Sequence, residues 1–587
     1  MLESDFSFKH PGYKMPTSPQ IYKVQQPTGR LFTWADGLVL VILASLVYIG
    51  VRLAYGAPTG VAGPEISLDI HALPWYAAMS IIRMTAAYCL SILFSLVYGR
   101  LAAFNRTAER ALIPLLDVLQ SIPILSFLPV ILLSLTAILP RGLAVELASI
   151  GLIFTSMTWN ITYSWYQSLT TLPVDLLEAN AIFRLNVWFR FKLLELPFAA
   201  IGLIWNSMMS WAGGWFFLMA AEIFTIGDRD FRLPGLGSYL HEAANQENFN
   251  AVLWGLMTLV VVIVVIDQLI WRPLLVWSVR FKVEMVGNED TPSSWFFGVV
   301  RASRLVNWLR QAVFGFIQEG LDQWMLRRLS IREQGSGRRM PVWMAVIMVI
   351  IFSIAIAYAG FHASTMLASL HPSEWKLVGI GLAATFLRVA IALLLAMLWT
   401  IPVGVWIGTN IRLSAFLQPA VQILASIPAT ALFPVMLLFF SHWVGGLNIA
   451  AILLMLVGTQ WYLLFNIIAG ASTIPQDLKY TSILLQLKGW QYWKTLILPA
   501  LFPFIITGAI TAAGGAWNAS IVAEYVSFGG KTLQVTGIGS TIAQATVQGN
   551  YPLLLAGTLS MILSVVLINR FVWRRLYRLA NEKYRME

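Results

Sequence analysis

The feature that most constrains this chain is an internal repeat with a period of about 300 residues. The stretch PVDLLEANAIFRLNVWFRFKLLELP at 173–197 returns as PQDLKYTSILLQLKGWQYWKTLILP at 475–499, and an offset of 302 then holds without a gap for roughly a hundred residues. Upstream, an offset of 305 aligns SIPILSFLP at 121–129 with SIPATALFP at 426–434. Because chance does not keep such a register, the chain contains two copies of a unit of about 250 residues.

Composition indicates that the repeated unit lies in a membrane. Hydrophobic residues make up 58% of the chain, charged residues make up 11%, and the mean hydropathy is +0.72, far from the values of soluble domains. Lipid offers no partner to backbone N–H and C=O groups, so long apolar runs in it must be helices. Runs long enough to cross about 30 Å of hydrocarbon lie near 33–56, 77–100, 113–136, 146–170, 199–224, 251–279, 342–362, 378–408, 415–440, 447–471, 500–526 and 552–573. We therefore predict an all-α integral membrane protein of about twelve transmembrane helices, arranged as two tandem six-helix units with pseudo-two-fold symmetry.

The distribution of Lys and Arg predicts the orientation. Cations cluster at both termini, in alternate loops and in the linker between the copies, whereas the opposite loops are poor in them. By the positive-inside rule, this pattern predicts a multi-pass protein of the cytoplasmic (inner) membrane with both termini cytoplasmic. The net charge of +11 then comes mostly from basic residues on the cytoplasmic side, next to the membrane lipid headgroups. No nucleic-acid partner is expected, because these basic residues are spread over many loops. The predicted parts are a cytoplasmic N-terminal segment at 1–32, a first unit at 33–280, a cytoplasmic amphipathic linker at 281–340 and a second unit at 341–587.

Two cytoplasmic segments point to a protein partner. Residues 173–197 and 475–499 each begin with Pro-x-Asp-Leu and end at a proline where the next span begins, and their spacing predicts a short helix, a turn and a second helix. This pattern resembles the coupling loop of binding-protein-dependent ABC importer permeases, E-A-A-x-x-x-G followed by L-P. Glu178 and Ala179 match that motif, whereas Tyr480 replaces the glutamate in the second copy. The resemblance implies that the loops dock on an ATPase subunit through candidate residues Asp175, Glu178, Ala179, Arg190, Lys192, Asp477, Tyr480, Gly489, Trp490 and Lys494.

Further motifs are similar to those of one branch of that family. The SxPxxxxxP segments, the Ala-Glu pairs at 221–222 and 523–524, and the G-[LI]-G-S turns at 235–238 and 537–540 resemble nitrate, sulfonate, taurine and bicarbonate permeases. The resemblance implies two fused type I importer (MetI-like) permease units that form the translocation path for a small anion. It also implies two copies of an ABC ATPase, which would bind ATP and Mg²⁺, and an external solute-binding protein. This chain is itself expected to hold no cofactor.

The resemblance implies that the fifth span of each half lines the path. Counting 1.5 Å per residue from the prolines at the start of these spans places the bilayer midplane near 207–215 and 509–517, which read SMMSWAGGW and AITAAGGAW. The small residues predict close helix packing, a lining of the path, or both, and the indoles are candidate steric gates. The candidate path residues are Ser121, Pro123, Ser210, Gly213, Trp215, Ser426, Pro428, Gly515 and Trp517.

Four charged residues are expected near the outer ends of the spans. Glu222 and Glu524 fall about 37 Å along the fifth span of each half. Arg83 and Arg388 enter from the same side and reach a similar level. Because charges within spans are costly and usually paired, these residues are predicted either to form structural ion pairs or to leave a positive group that attracts an anion.

Catalytic chemistry is not expected from this sequence. The lone Cys89 lies in a predicted span, and the six histidines form no ligand-spaced pair, so no thiol nucleophile and no metal site are predicted. The GGKT at 529–532 has Tyr525 where a phosphate-binding loop needs a glycine, so no nucleotide site is predicted either. A membrane-embedded enzyme is therefore set aside. The alternative to an ATP-driven permease is an ion-coupled secondary transporter with internal repeats, which needs no ATPase.

Overall fold

The computed structural model describes most of the chain. The described residues are 34–54, 63–120, 123–183, 185–226, 229–281, 294–303, 320, 322–324, 342–410, 412–413, 416–417, 421, 424–425, 427–440, 442–472, 474, 476–528 and 531–583. The predicted N-terminal segment 1–32 and most of the predicted linker 281–340 lie outside these residues.

The first copy of the repeat is almost entirely helical. Its helices are α1 (Trp34–Ala54), α2 (Leu73–Phe104), α3 (Arg106–Gln120), α4 (Leu128–Ile138), α5 (Arg141–Thr170), α6 (Val174–Ile182), α7 (Val187–Arg190), α8 (Leu196–Glu222), α9 (Leu236–Asn245), α10 (Phe249–Ile266) and α11 (Arg272–Val279). A short antiparallel hairpin, β1 (Thr225–Ile226) with β2 (Arg229–Asp230), follows α8. In the linker, α12 spans Trp295–Ala302.

The second copy repeats this order. Its helices are α13 (Val342–Ala368), α14 (Pro372–Thr409), α15 (Ala429–Phe440), α16 (Gly446–Ser472), α17 (Gln476–Leu484), α18 (Gly489–Tyr492), α19 (Leu498–Glu524), α20 (Ile538–Gln548), α21 (Tyr551–Ile568) and α22 (Arg574–Lys583). The hairpin β3 (Tyr525–Phe528) with β4 (Lys531–Gln534) stands after α19, as β1 and β2 stand after α8.

Helices long and apolar enough to cross a membrane dominate the described part of the chain. Seven such segments are found there, at Ile70–Phe104, Arg141–Thr170, Phe249–Ser278, Pro372–Thr409, Gly446–Ser472, Gly489–Glu524 and Tyr551–Ala580. Shorter apolar helices lie at Ala44–Ala54, Leu128–Ile138 and Ala429–Phe440. The helical membrane architecture predicted from composition is confirmed.

The third span, predicted as one run over 113–136, is not a continuous helix. It ends as α3 at Gln120 and restarts through a 3₁₀ turn at Ile124–Phe127 before α4. The cause is Pro123, whose backbone is extended (φ −64°, ψ 107°), because proline lacks an N–H and disfavours helix in the residue before it. The predicted run 415–440 is corrected in the same way, since α15 begins directly after Pro428.

Two unusual helical turns recur in both copies. One π-helical turn lies at Phe191–Glu195 and again at Trp493–Ile497, and a second lies at Asp267–Trp271 and again at Asn569–Trp573. Each pair keeps the 302-residue offset of the sequence repeat. Because π turns are rare, the duplication has preserved backbone geometry as well as sequence.

The two copies contact one another in a reciprocal manner. The Leu125 N–H donates to Asn518 Oδ1 at 3.4 Å, and the Thr430 hydroxyl donates to the Phe216 carbonyl at 3.3 Å. In the repeat, Leu125 corresponds to Thr430 and Phe216 corresponds to Asn518. Each copy therefore uses the segment around the start of α4 or α15 to contact α8 or α19 of the other copy.

Candidate functional site

The predicted outer charges of the first copy form one buried cluster. Arg83 Nη1 lies 3.0 Å from Glu222 Oε1, and the Glu222 side chain is fully buried. Glu222 also accepts hydrogen bonds from the Ser80 hydroxyl at 2.7 Å and from the Gly237 N–H at 2.7 Å. Arg83 donates to the Pro234 carbonyl as well, at 2.9 Å. The carboxylate is thus held by a cation, a hydroxyl and a backbone amide, which is how a buried charge is made tolerable.

The second copy builds the same cluster from the corresponding residues. Arg388 Nη1 lies 2.8 Å from Glu524 Oε1, and that carboxylate accepts from the Thr385 hydroxyl at 2.6 Å and from the Gly539 N–H at 2.8 Å. Arg388 also donates to the Thr536 carbonyl at 2.6 Å. Of the two alternatives that the sequence left open for these four charges, the structure contains the ion pair in both copies.

The two clusters differ in charge at one position. Arg83 makes a bidentate pair with Glu146, with Nε–Oε2 and Nη2–Oε1 distances of 2.7 Å. At the corresponding place Arg388 Nε donates to the neutral Asn448 at 3.0 Å. The first cluster therefore has two carboxylates for one guanidinium, and the second has one of each.

The G-[LI]-G-S turns contact these carboxylates closely and donate backbone hydrogen bonds to them. A Cβ added at Gly235 would overlap the Glu222 carboxylate, and one at Gly537 would overlap that of Glu524. Only glycine lets the backbone approach so closely and aim the next-but-one N–H at the buried oxygen. From the sequence these turns were a family marker only, whereas in the fold they close the charge cluster.

The predicted coupling segments adopt the predicted helix–turn–helix shape. In the first copy α6 and α7 precede α8, and in the second copy α17 and α18 precede α19. At the end of the first short helix both copies expose two adjacent apolar side chains: Ile182 and Phe183 are 77% and 74% exposed, and the corresponding Leu484 and Leu485 are 82% and 65% exposed. These paired apolar residues form an exposed apolar surface at the same place in both copies.

A cavity lies between the two copies where the path was predicted. It has about 770 Å³ of empty space, part of it open to solvent, and the predicted path residues Gly213, Gly515 and Pro428 line it. Tyr462 of α16 stands between the two glycines. A Cβ added at Gly213 would lie 3.5 Å from the Tyr462 hydroxyl, and one at Gly515 would lie 3.6 Å from Tyr462 Cε2. One glycine from each copy thus makes room for the same ring.

The comparisons with known proteins agree with this arrangement. The family described as "Binding-protein-dependent transport system inner membrane component" matches the chain twice, over residues 91–270 and 400–585, which is more than half of its length. This chain belongs to that family of permeases. The two matches fall one in each copy of the repeat, as expected of a fused duplication.

Relatives of this permease include proteins named for nitrate import and for bicarbonate transport. The nitrate import permease protein NrtB of Leptolyngbya laminosa is 31% identical over 169 residues, covering 29% of this chain and 57% of the relative. The bicarbonate transport system permease protein CmpB of Synechococcus elongatus is 32% identical over 199 residues, covering 34% of this chain and 68% of the relative. The match thus spans little more than half of the nitrate relative and about two thirds of the bicarbonate relative.

Two predicted coupling cations of the permease have internal partners instead. Arg190 Nε lies 2.9 Å from Oε1 of the fully buried Glu195, and Lys192 Nζ lies 2.5 Å from Oδ2 of the linker residue Asp322. The Arg190 guanidinium and the Lys192 ammonium each pair with a carboxylate of this chain, and their role in coupling stays a prediction. In the second copy Ile497 stands in place of Glu195.

The other predicted coupling residues of the permease are distributed over both loops. Asp175 and Glu178 are exposed on α6 and Ala179 is half-buried there, while Tyr480, Trp490 and Lys494 are exposed in the second copy. Gly489 has a φ of 55°, a left-handed conformation that favours glycine, so its role is to turn the chain into α18. Asp477 lies on α17, and its side chain is outside the described residues.

The predicted tryptophan gates of the permease do not face the cavity. Trp215 and Trp517 are 1% and 2% exposed and belong to the packed hydrophobic clusters. Each lies two residues after a cavity-lining glycine on the same helix. Because side chains two residues apart on a helix point about 200° apart, the tryptophan points away from the cavity. Ser210 and Pro123 are also buried and absent from the described cavity wall, and Ser121 and Ser426 lie outside the described residues.

Tyr462 and Asp322 were missed by sequence reasoning. The only signal for Tyr462 is that the repeat places Asn160 at the corresponding position, so one copy has an aromatic hydroxyl where the other has an amide. Asp322 gave no signal, because its contacts with Trp188 and Lys192 join positions 134 and 130 residues apart.

Proposed function

We propose that this chain supplies both permease units of an ATP-driven importer of a small anion, fused in one polypeptide. In this proposal twelve helices form two six-helix units related by a pseudo-two-fold axis, and the solute passes between them. The reciprocal contacts of Leu125 with Asn518 and of Thr430 with Phe216 support the two-fold arrangement. The names of the nitrate and bicarbonate relatives support a small anion as the transported solute.

The observation that carries the proposal is the pair of matched loops before α8 and α19. Each presents exposed apolar residues, Ile182 with Phe183 and Leu484 with Leu485, in the loop that leads into α8 or α19, and both of these helices line the cavity. A partner that moves such a loop moves the wall of the path, because α8 and α19 are continuous helices of 27 residues, about 40 Å long. Two ABC ATPase subunits, one on each loop, would then convert ATP hydrolysis into exposure of the cavity to alternate sides.

The buried charge clusters supply the rigid end of this mechanism. Arg83 with Glu222 and Arg388 with Glu524 join the far ends of α8 and α19 to α2 and α14. Each carboxylate is fixed by a cation, a hydroxyl and a backbone amide, as suits a permanent structural charge rather than a proton carrier. The arrangement favours the ATP-driven permease over the ion-coupled transporter. In the proposal both termini and both loops are cytoplasmic, and a solute-binding protein delivers the anion to the opposite side.

The test is anion uptake into proteoliposomes that contain the full chain. With its cognate ATPase subunits inside and a solute-binding protein outside, ATP should drive accumulation of labelled nitrate or bicarbonate. Without the ATPase, neither ATP nor an imposed sodium or proton gradient should do so. Gradient-driven accumulation by the chain alone would establish the secondary transporter instead.

A further inference from the structure

The cavity between the copies has an uncharged wall with unused hydrogen-bond donors. Among the described residues that line it, none carries a charged side chain. Tyr462 contributes a hydroxyl for which no hydrogen bond is formed within the described part of the chain, and the neighbouring Trp461 Nε1 is buried and without a partner there. Buried polar groups usually find a partner, so two neighbouring wall residues with unused donors point to a ligand that accepts hydrogen bonds.

The other polar side chains of the wall, Thr459 and Asn518, each have one donor engaged. The Thr459 hydroxyl donates to the Met455 carbonyl at 2.6 Å, and the Asn518 amide nitrogen donates to the Gly514 carbonyl at 3.1 Å. The Asn518 carbonyl oxygen accepts from the Leu125 N–H. The donors left for a ligand are therefore the Tyr462 hydroxyl, the Trp461 indole N–H and the second N–H of the Asn518 amide, all from the second copy.

The aromatic rings of the wall add to this preference. Phe216, Phe217 and Phe465 line the cavity beside Tyr462, and the edge of an aromatic ring is its positive part. Ring edges and neutral N–H and O–H donors suit an anion whose single charge is spread over several oxygens. A divalent anion keeps a much larger desolvation cost, which neutral donors do not offset. A site in a transport path must also release its solute, and neutral donors bind weakly enough to permit that.

We propose that Tyr462 and Trp461 form the transit site for a planar, monovalent oxyanion, beside Gly213 and Gly515. This inference rests on the proposed function, because it places the solute in the path between the units. The site is one-sided: the positions that correspond to Trp461 and Tyr462 in the first copy are Trp159 and Asn160, and neither lines the cavity. Duplication and fusion thus allow one copy to bind the anion while the other supplies the small residue, Gly213, that makes room for it.

A cysteine placed in the cavity can report on this site without any transport. A Cβ at Gly213 would be in ordinary contact with the Tyr462 hydroxyl at 3.5 Å, so Gly213→Cys fits, and Cys89→Ser removes the one native thiol. The full chain in lipid nanodiscs is treated with a small water-soluble thiol reagent at constant ionic strength. Sodium nitrate and sodium bicarbonate should slow labelling at least about fivefold, whereas sodium sulfate should leave the rate unchanged.

Variants of the donors decide the role of the site. Tyr462→Phe removes only the hydroxyl, and it should raise the nitrate concentration that gives half-protection about tenfold, as expected for one lost hydrogen bond to a charged ligand. Trp461→Phe should act in the same direction, and the matched Trp159→Phe in the first copy should have no effect. Ala212→Cys, at another wall position, serves as a second reporter if Gly213→Cys does not yield a monodisperse protein.

Several results would overturn the inference. They are equal protection by sulfate and nitrate, protection that survives both Tyr462→Phe and Trp461→Phe, an absence of protection, or thiols that the reagent never reaches. Any of these together with ATP-driven uptake by the unmodified transporter would reject this site and leave the proposed function standing.

Discussion

Arg83 and Glu222 form an ion pair inside the protein, with 3.0 Å between Nη1 and Oε1 and with both side chains almost completely buried. Arg388 and Glu524 repeat that pair 302 to 305 residues later. The first pair is backed by Glu146 and the second only by the neutral Asn448. The same cluster thus exists twice in one molecule with different net charge, which allows each copy to serve as the control for the other.

Neutralising the buried glutamates should therefore have unequal effects. Glu524→Gln leaves Arg388 without any carboxylate and should cost about 3–5 kcal/mol of stability, the usual effect of stranding a buried charge. Glu222→Gln should cost less, because Arg83 keeps its bidentate pair with Glu146. The measurement is thermal unfolding of each purified variant. Equal losses would show that Glu146 does not share the charge of Arg83.

The double variant Arg388→Gln with Glu524→Gln should recover most of the stability lost in either single variant. Removing both charges leaves no uncompensated ion, so the two effects should not add. Folded yield and thermal unfolding of the four proteins of this cycle give the coupling energy. A double variant whose loss equals the sum of the two single losses would contradict the pairing.

A methyl group at the turn glycines should disrupt the carboxylate cluster. Gly235→Ala places a Cβ on the Glu222 carboxylate, and Gly537→Ala does the same at Glu524, so each should lose about 1–3 kcal/mol through overpacking. Gly142→Ala is the matched control, because nothing lies within 4 Å of its added Cβ and it stands in the helix α5. It should be neutral or slightly stabilising. The comparison is made by thermal unfolding. Equal losses at all three glycines would show that Gly235 and Gly537 are not needed for the close approach of the backbone to the carboxylates.

The contact between the linker and the first loop should depend on pH. The hydrogen bonds from Lys192 and Trp188 hold the pKa of the Asp322 carboxyl below its usual range. A carboxyl with a depressed folded-state pKa contributes stability that is present above its unfolded pKa, about 3.9, and is lost as the pH falls through the lower folded value. Hydrogen exchange of the loop and linker, corrected for intrinsic rates, should be constant from about pH 7 to pH 5 and increase only below about pH 4.

Asp322→Asn is the control for that titration. It should show increased exchange around Trp188 already at neutral pH, and little further change in acid. An unmodified chain whose exchange already rises between about pH 7 and pH 5, or a variant as well protected as the unmodified chain at neutral pH, would show that the contact does not hold the linker.

The repeat and the long apolar runs were sufficient to predict most of the fold. A constant offset aligns residues whose backbone turns out to be equivalent, including the π turns at Phe191–Glu195 and Trp493–Ile497 that no propensity rule indicates. The error in the third span came from treating hydropathy as continuous across Pro123, where the backbone is extended. The helix–turn–helix of both loops was predicted correctly because its prolines, charges and apolar residues are local signals.

The side-chain contacts were harder to predict, because each joins residues distant in sequence. The position of Arg190 in the loop suggested a cation that contacts a partner. In the structure its guanidinium forms an ion pair with Glu195, whose side chain is completely buried. Trp215 was a natural gate by size, yet helical rotation turns it into the core while Gly213 faces the cavity. The place of Tyr462 in the cavity wall could not be predicted, because it depends on how α16 packs between α8 and α19.

Exposed apolar residues on the two loops should be needed by the ATPase and not by the fold. Ile182→Asp and Leu484→Asp should each abolish most binding of the cognate ATPase to the purified chain, because they put a carboxylate in a surface that must be buried. Asn250→Asp is the control. Asn250 is exposed at the start of α10, away from the two loops, and its substitution should leave ATPase binding unchanged. Unchanged binding after both loop substitutions would contradict the assignment.

The most direct test of the account is a hydrogen-exchange footprint of the ATPase on the full chain in nanodiscs. The account predicts protection of α6 with α7 and of α17 with α18 when the cognate ATPase is added, and none in the hairpins β1–β2 and β3–β4 at the other ends of α8 and α19. Unchanged exchange in both loops, or protection confined to the hairpins, would contradict the claim that this permease is driven through its two matched loops.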